Sequence, residues 1–401
     1  MSDFIETNFH RQVELLKALV RVPSDNPPGD CAPHAQAAKA LLEKLGFKVE
    51  THKVPDQIAQ KHGMASVTNL VIRERFGPGP VIALNAHGDA VPPGQGWTHN
   101  PYGAVEQDGA IYGRGAAVSK SDFSTYAFAM LALKDDSAGL NGTVELHLTY
   151  DEETGGFVGP KWLLDEKITE PDYAISAGFS YAVVTAHNGV LHLEVTVKGR
   201  QAHAAMPESG ADALEAATGV LAALYKERKR LAKKKSKSPG IGSAKLTVGQ
   251  ISGGFATNVV PDVVTLRLDR RLIPEENGIK VEKDLTALIK RAAKGTGISV
   301  DCRRIILAEP LRPVAGVENL IEPIRRHAKR ELKVAIPVKG VPLYTDARHY
   351  SAAGIPTVLY GAGPRSILEA NAHAANEHVI LSDLKAATKI VEATLRDMLS
   401  K

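Results

Sequence analysis

The 401-residue sequence predicts an α/β fold, with a mixed sheet flanked by helices and a smaller ferredoxin-like α+β domain inserted into it. Three observations carry this expectation. Strand-like and helix-like segments alternate through the first 180 or so residues, the rhythm of a sheet covered by helices. Near residue 190 the pattern changes to half-exposed strands in the order β-α-β-β-α-β, the split ferredoxin-like arrangement. Beyond about residue 307 the first rhythm resumes. The predicted domains are therefore 1–188 with 307–401, and 189–306 between them.

The elements follow in order. HAQAAKALLEKLG reads as an amphipathic helix closed by Gly46, with the strand candidate FKVETHKV behind it. VIALNAH is a short apolar run bounded by turn residues, as a strand covered on both faces should be. SDFSTYAFAMLALKDD reads as a helix, GTVELHLTYDEETGG as a strand ending in an acidic turn, GPKWLLDEK as a helix and DYAISAG as a strand. In the inserted region LHLEVTVKG alternates like a half-exposed strand. A long helix (211 to about 235), strands AKLTVGQIS and DVVTLRLDRRLI, helix KVEKDLTALIKRAAKG and strand ISVDCRRIIL complete it. IEPIRRHAKRELK, AGIPTVLYGAG and the helix SDLKAATKIVEATLRDMLS close the chain.

Composition narrows the function classes. Hydrophobic residues at 44% and charged residues at 23% are those of a globular protein. No apolar run approaches the ~18 residues a bilayer span needs. The N-terminal stretch carries acids early and a helical pattern, unlike a secretory signal. Cys31 and Cys302 alone make no disulfide framework, so a cytoplasmic setting is expected. The basic run KERKRLAKKKSKS continues a helix and lacks interleaved aromatics, so it reads as a solvated helix end rather than a nucleic-acid or membrane contact.

Five segments carry the chemistry. His87 and Asp89 stand at the end of a buried strand, where α/β sheets place their ligand sites. About twenty-five residues on comes IYGRGAAVSKSD. YDEETGG sets Glu152 beside Glu153 at another strand end. GRQAHAAMP carries His203, and NAHAANEHV carries His373. In this order and spacing the motifs resemble the metallopeptidase family of acetylornithine deacetylase, succinyl-diaminopimelate desuccinylase, aminoacylase, carnosine dipeptidase and glutamate carboxypeptidase. The resemblance covers nearly the whole chain.

The resemblance implies roles residue by residue. His87 matches a metal ligand and Asp89 the residue that orients it. Glu152 matches the general base toward water. Glu153 and His373 match ligands of a second metal. His203 resembles a histidine that reaches a partner subunit's site and polarises the scissile carbonyl. Asn258, in GGFATNVVPD, resembles a residue that contacts substrate, and Arg348, in YTDARHY, one that clamps a substrate carboxylate. Such a donor set suits a borderline metal that activates water, with a carboxylate beside it as proton shuttle.

Two acids of the pattern are missing. Val118 stands where relatives have the aspartate bridging both metals, and Gly178 where they have an acidic ligand. Neither residue ligates through its side chain, and two close cations without a shared anion repel. The expectation is one divalent ion per chain, zinc or manganese with cobalt as an alternative, held by His87, Glu153 and His373. Asp122, one helical turn beyond Val118, and His187, in TAHNG, are second-choice ligands. The expected activity is hydrolysis of a C–N bond in a small carboxylate-bearing substrate such as an N-acyl amino acid or dipeptide-like compound. Aminohydrolase or cyclic-amide hydrolase chemistry, or a non-catalytic binding module, are the alternatives. A homodimer through the inserted domain is expected, with no nucleic-acid or membrane partner.

Overall fold

The computed structural model describes residues 4–400 and divides into two compact units. The first comprises residues up to Thr185, Pro313–Lys339 and Thr345 onward; the second comprises Ala186–Arg312 and Gly340–Tyr344. The inserted unit thus begins and ends a few residues outside the expected 189 and 306. His187 forms a β-bridge with Leu311, which draws both flanks of the insertion into it.

In the first unit an eight-stranded mixed sheet runs in the order 49–53, 68–75, 143–149, 81–87, 173–176, 357–359, 183–187, 338–341. Strands Thr143–Thr149, Val81–His87, Tyr173–Ser176 and Thr357–Leu359 are mutually parallel. Their C-terminal ends therefore share one edge, where the side chains of the site gather. Strand Val81–His87 is buried along nearly its whole length, which is why its sequence is an unbroken apolar run rather than an alternation. Helix Ser121–Asp135 is buried almost all round and packs with Phe4–Val20 and Leu381–Leu399, so its sequence carries no amphipathic stripe. The helix expected over 34–46 spans Ala32–Lys44, with proline in its first turn and Gly46 beyond it at a φ of +90°.

The second unit is an antiparallel sheet in the order 245–253, 263–272, 189–198, 299–308. Helices Ala213–Leu231 and Gly278–Ala292 cover it, capped by the Asp212 and Asn277 side chains. Alternate residues Leu191, Leu193, Val195 and Val197 of the first strand enter its core with Val220, Leu224 and Ile289. The basic run ends the first helix, and Arg230 and Lys234 pair with Glu227 and Glu276. Among the described residues no helix is long and apolar enough to cross a membrane.

Candidate active site

The strand Val81–His87 delivers His87 to the sheet edge, and the backbone then turns so that Asp89 faces back at the ring. His87 Nδ1 lies 3.0 Å from the Asp89 carbonyl and 3.3 Å from its carboxylate. Asp89 is fully enclosed and its oxygens are heavily used: they accept from Asn26 Nδ2 at 2.9 Å and from the backbone N–H groups of Glu152 and Glu153, each at 3.2 Å. One carboxylate thereby orients the imidazole and holds the turn bearing both glutamates. With Nδ1 committed, Nε2 is the free ring nitrogen on the side of Glu152, 4.0 Å from its Oε2.

Glu152–Thr154 form a single 3-10 turn immediately after the strand Thr143–Thr149. Burial pushes the Glu152 carboxyl well above the usual carboxylate range; nearby His87 opposes this, while the charges of Glu153, Asp346 and Asp89 add to it. Burial also resists a charge on His87, but Glu152, Asp89 and Glu153 outweigh it and hold the imidazole well above its ordinary value. His373 adopts a φ of +62°, a left-handed conformation that costs a residue with a β-carbon on the order of 1 kcal/mol. Its Nε2 pairs with Glu153 Oε1 at 3.2 Å, and that carboxylate raises the His373 imidazole above its ordinary value. An imidazole and a carboxylate paired at 3.2 Å are donor types that suit a divalent ion, and they are explained equally by their own ion pair.

The two missing acids have structural consequences. At Gly178 an added β-carbon would fall 2.6 Å from Leu359 Cβ and 2.7 Å from the Tyr360 nitrogen, so the neighbouring strand end leaves no room for any side chain. At Val118 the backbone N–H, with that of Ala117, donates to the buried Glu377 carboxylate, which also pairs with Arg114 at 2.5 Å. Among the described residues no three His, Cys, Asp or Glu side chains are grouped so as to hold a metal ion. Of the three expected ligands, Glu153 and His373 meet, while His87 faces the neighbouring Glu152. The donor types suit a borderline divalent ion, but the three expected ligands do not stand as one preformed group.

The second-choice ligands need correction. Asp122 does not share a helical face with Val118, because residues 116–120 are irregular and the regular helix starts at Ser121. Its buried carboxylate, pushed up to about 7 by burial, instead accepts the Ala362 N–H at 2.7 Å. His187 is buried in the second unit, its Nδ1 2.8 Å from the Asn188 carbonyl and 3.3 Å from the Leu311 nitrogen. Both residues hold backbone.

Arg348 is 5% exposed. Its guanidinium donates to the Gly155 carbonyl and lies 5.2 Å over the Phe157 ring. His203 and Asn258 belong to the second unit, where the Asn258 carbonyl accepts the Ala204 N–H at 3.0 Å, and both side chains are exposed. Sequence reasoning missed Asn26, Asp151, Asp346 and Glu377. Asp151, Asp346 and Glu377 carried a signal, as acids within motifs already singled out; Asn26 carried none.

A mixed sheet with an acid- and imidazole-lined edge, interrupted in sequence by a ferredoxin-like unit, is a fold that metallopeptidases share. A profile of peptidase family M20/M25/M40 matches residues 83–397, and the chain belongs to that family. It is 26% identical over 389 residues to a succinyl-diaminopimelate desuccinylase of Acidiphilium cryptum, covering 94% of this chain and 96% of the relative. It is 27% identical to rat (Rattus norvegicus) aminoacylase-1A over 407 aligned positions, 96% and 95% of the two chains. An M20 metallo-carboxypeptidase from Sulfolobus solfataricus superposes with a TM-score of 0.75 at 19% identity, over 99% of both chains. A dinuclear metal-binding M20 peptidase from Bacillus subtilis gives 0.71 at 16% identity over 98% and 99%. The chain is thus a hydrolase of C–N bonds from a metal-dependent family.

Proposed function

We propose that the protein hydrolyses the amide bond of a small N-acyl amino acid or dipeptide-like compound, with Glu152 as general base. The observation that carries this reading is the acid turn itself: two adjacent glutamates, each facing a different imidazole, at the edge where the parallel strands end. The named relatives, a desuccinylase and an aminoacylase, support the substrate class.

One divalent ion, zinc or manganese, is proposed at His87, Glu153 and His373; when bound it would polarise the scissile carbonyl and acidify water. The chain's own residues do the rest. Asp89 holds Nδ1 of His87 at 3.3 Å, so Nε2 is the nitrogen left for a metal once the ring gives up its second proton. Glu152, enclosed and surrounded by negative charge, takes a proton from water and passes it to the departing nitrogen. His203 is proposed to stabilise the developing oxyanion and Asn258 to contact substrate. A homodimer through the inserted domain is part of the same proposal, and sedimentation of the purified protein tests it.

The test is a panel of N-acetyl amino acids, N-succinyl amino acids and dipeptides, assayed with added zinc or manganese. Turnover of at least one class is expected, and Glu152→Gln should abolish it while substrate binding persists. Binding without turnover in every condition would replace this reading with a binding module, the alternative that Val118 and Gly178 favour.

A further inference from the structure

The acid turn is held at both ends. At its start Asp89 accepts the N–H groups of Glu152 and Glu153. At its end the Gly155 carbonyl receives two adjacent side chains of helix Ala347–Ala352: the Arg348 guanidinium and His349 Nε2, the latter at 2.9 Å. The helix packs against bare backbone there. A β-carbon on Gly156 would fall 2.1 Å from Asp346 Oδ1 and 2.9 Å from His349 Nε2. Phe157 closes the arrangement, with Arg348 over its face, His349 at its edge 5.7 Å away and His62 stacked on it at 5.2 Å.

The helix is in turn docked on the strand below by a buried polar column. Glu145, His147 and Thr149 alternate along strand Thr143–Thr149 and so face one side. Thr149 Oγ1 donates to Asp346 at 3.4 Å, and the Tyr350 hydroxyl meets His147 Nδ1 at 2.8 Å. His147 Nε2 meets Glu145 at 2.9 Å, and Glu145 is anchored by Arg73 at 2.8 Å and by the Thr169 hydroxyl. An apolar strand face would pack a helix without this column. Polar groups buried in a hydrogen-bonded chain fix a single register instead.

We infer that Arg348 is a positioning residue for Glu152, acting through the Gly155 carbonyl, and that the Glu145–His147–Tyr350 column sets the helix that carries it. This assigns to Arg348 a target inside the protein in place of a substrate carboxylate, and it rests on the proposed role of Glu152 as base. A base displaced by about 1 Å loses on the order of 100-fold in rate, so a guanidinium that pins the turn controls kcat without touching substrate.

Two readouts on the full-length protein test this. Hydrogen exchange over residues 151–156 should quicken at least about tenfold in Arg348→Met, by loss of the pin. It should quicken less in Arg348→Lys, which keeps one donor, and in Tyr350→Phe, which loosens the column, and remain unchanged in Glu152→Gln. In the kinetics, Arg348→Met should lower kcat about 100-fold equally for an N-acetyl amino acid and its carboxamide, with KM little changed. An unchanged exchange rate in Arg348→Met overturns the inference, as does a KM rise confined to the carboxylate substrate. Failure of Glu152→Gln to reduce turnover would remove the base reading alone, since the exchange measurement does not depend on it.

Discussion

The acid turn of the first unit and the His203–Asn258 loops of the second are built on opposite plans. Around Glu152, Asp89, Asp151, Asp346 and Arg348 are all buried; Asp89, Asp151 and Arg348 bond to backbone, and Asp346 accepts from the Thr149 hydroxyl. Around His203 the chain is open, with Met206 57% exposed and Phe255 69% exposed on the flanking segments. Enclosure lets fixed dipoles and charges tune a proton-transfer group in advance, because nothing has to reorganise when substrate arrives. Exposure leaves loops free to meet varied molecules, at the cost of precision. The proposed function puts the proton transfer in the first region and leaves the second to substrate contact.

Substitutions should separate the two plans. Glu152→Gln keeps the shape of the turn and removes the proton acceptor, so kcat should fall on the order of 1000-fold with KM held, as steady-state kinetics would show. Gly178→Glu, which restores an acid of the family pattern, should add no metal. Its side chain would drive into Leu359 and Tyr360 and destabilise the first unit by about 2 kcal/mol or more, measured by denaturant unfolding. A second metal equivalent in that variant would mean the strand ends move apart easily. His203→Ala should lower kcat/KM roughly tenfold or more while leaving the thermal midpoint unchanged, since the ring is exposed. A drop in stability would show that the loop is as prearranged as the turn.

The smallest effect concerns acid stability. Burial resists a charge on Glu145, but the His147 hydrogen bond and charge, the Thr169 hydroxyl and Arg73 outweigh it and hold the carboxyl down to about 2 from 4.5. A depressed folded-state value contributes stability above pH 4.5 that is lost as pH falls toward 2. Glu145→Gln should accordingly be less stable than wild type near neutrality, with the difference shrinking across that interval in pH-dependent unfolding.

Much of this was legible in the sequence for physical reasons. Strand and helix periods marked the elements because burial enforces them, and the β-α-β-β-α-β order determined the second sheet. His87, Asp89, Glu152 and Glu153 stood out because they end apolar runs. The expectation for Asp122 failed because helical spacing was extended through residues 116–120, where Val118 has φ −135° and ψ 100°. Arg348 was recognisable by motif, but its orientation depends on a carbonyl 193 positions away in sequence, which no local pattern encodes. Asp346 and Glu377 stood in quoted motifs, but their roles were illegible for the same reason: their partners, Thr149 and the backbone of Ala117 and Val118, come from distant segments.

The most direct measurement is metal content, by elemental analysis of protein purified without chelator and loaded with zinc or manganese. The account predicts about one ion per chain, lost in both His87→Ala and His373→Ala. Two ions per chain, or retention of the metal in both variants, would contradict it.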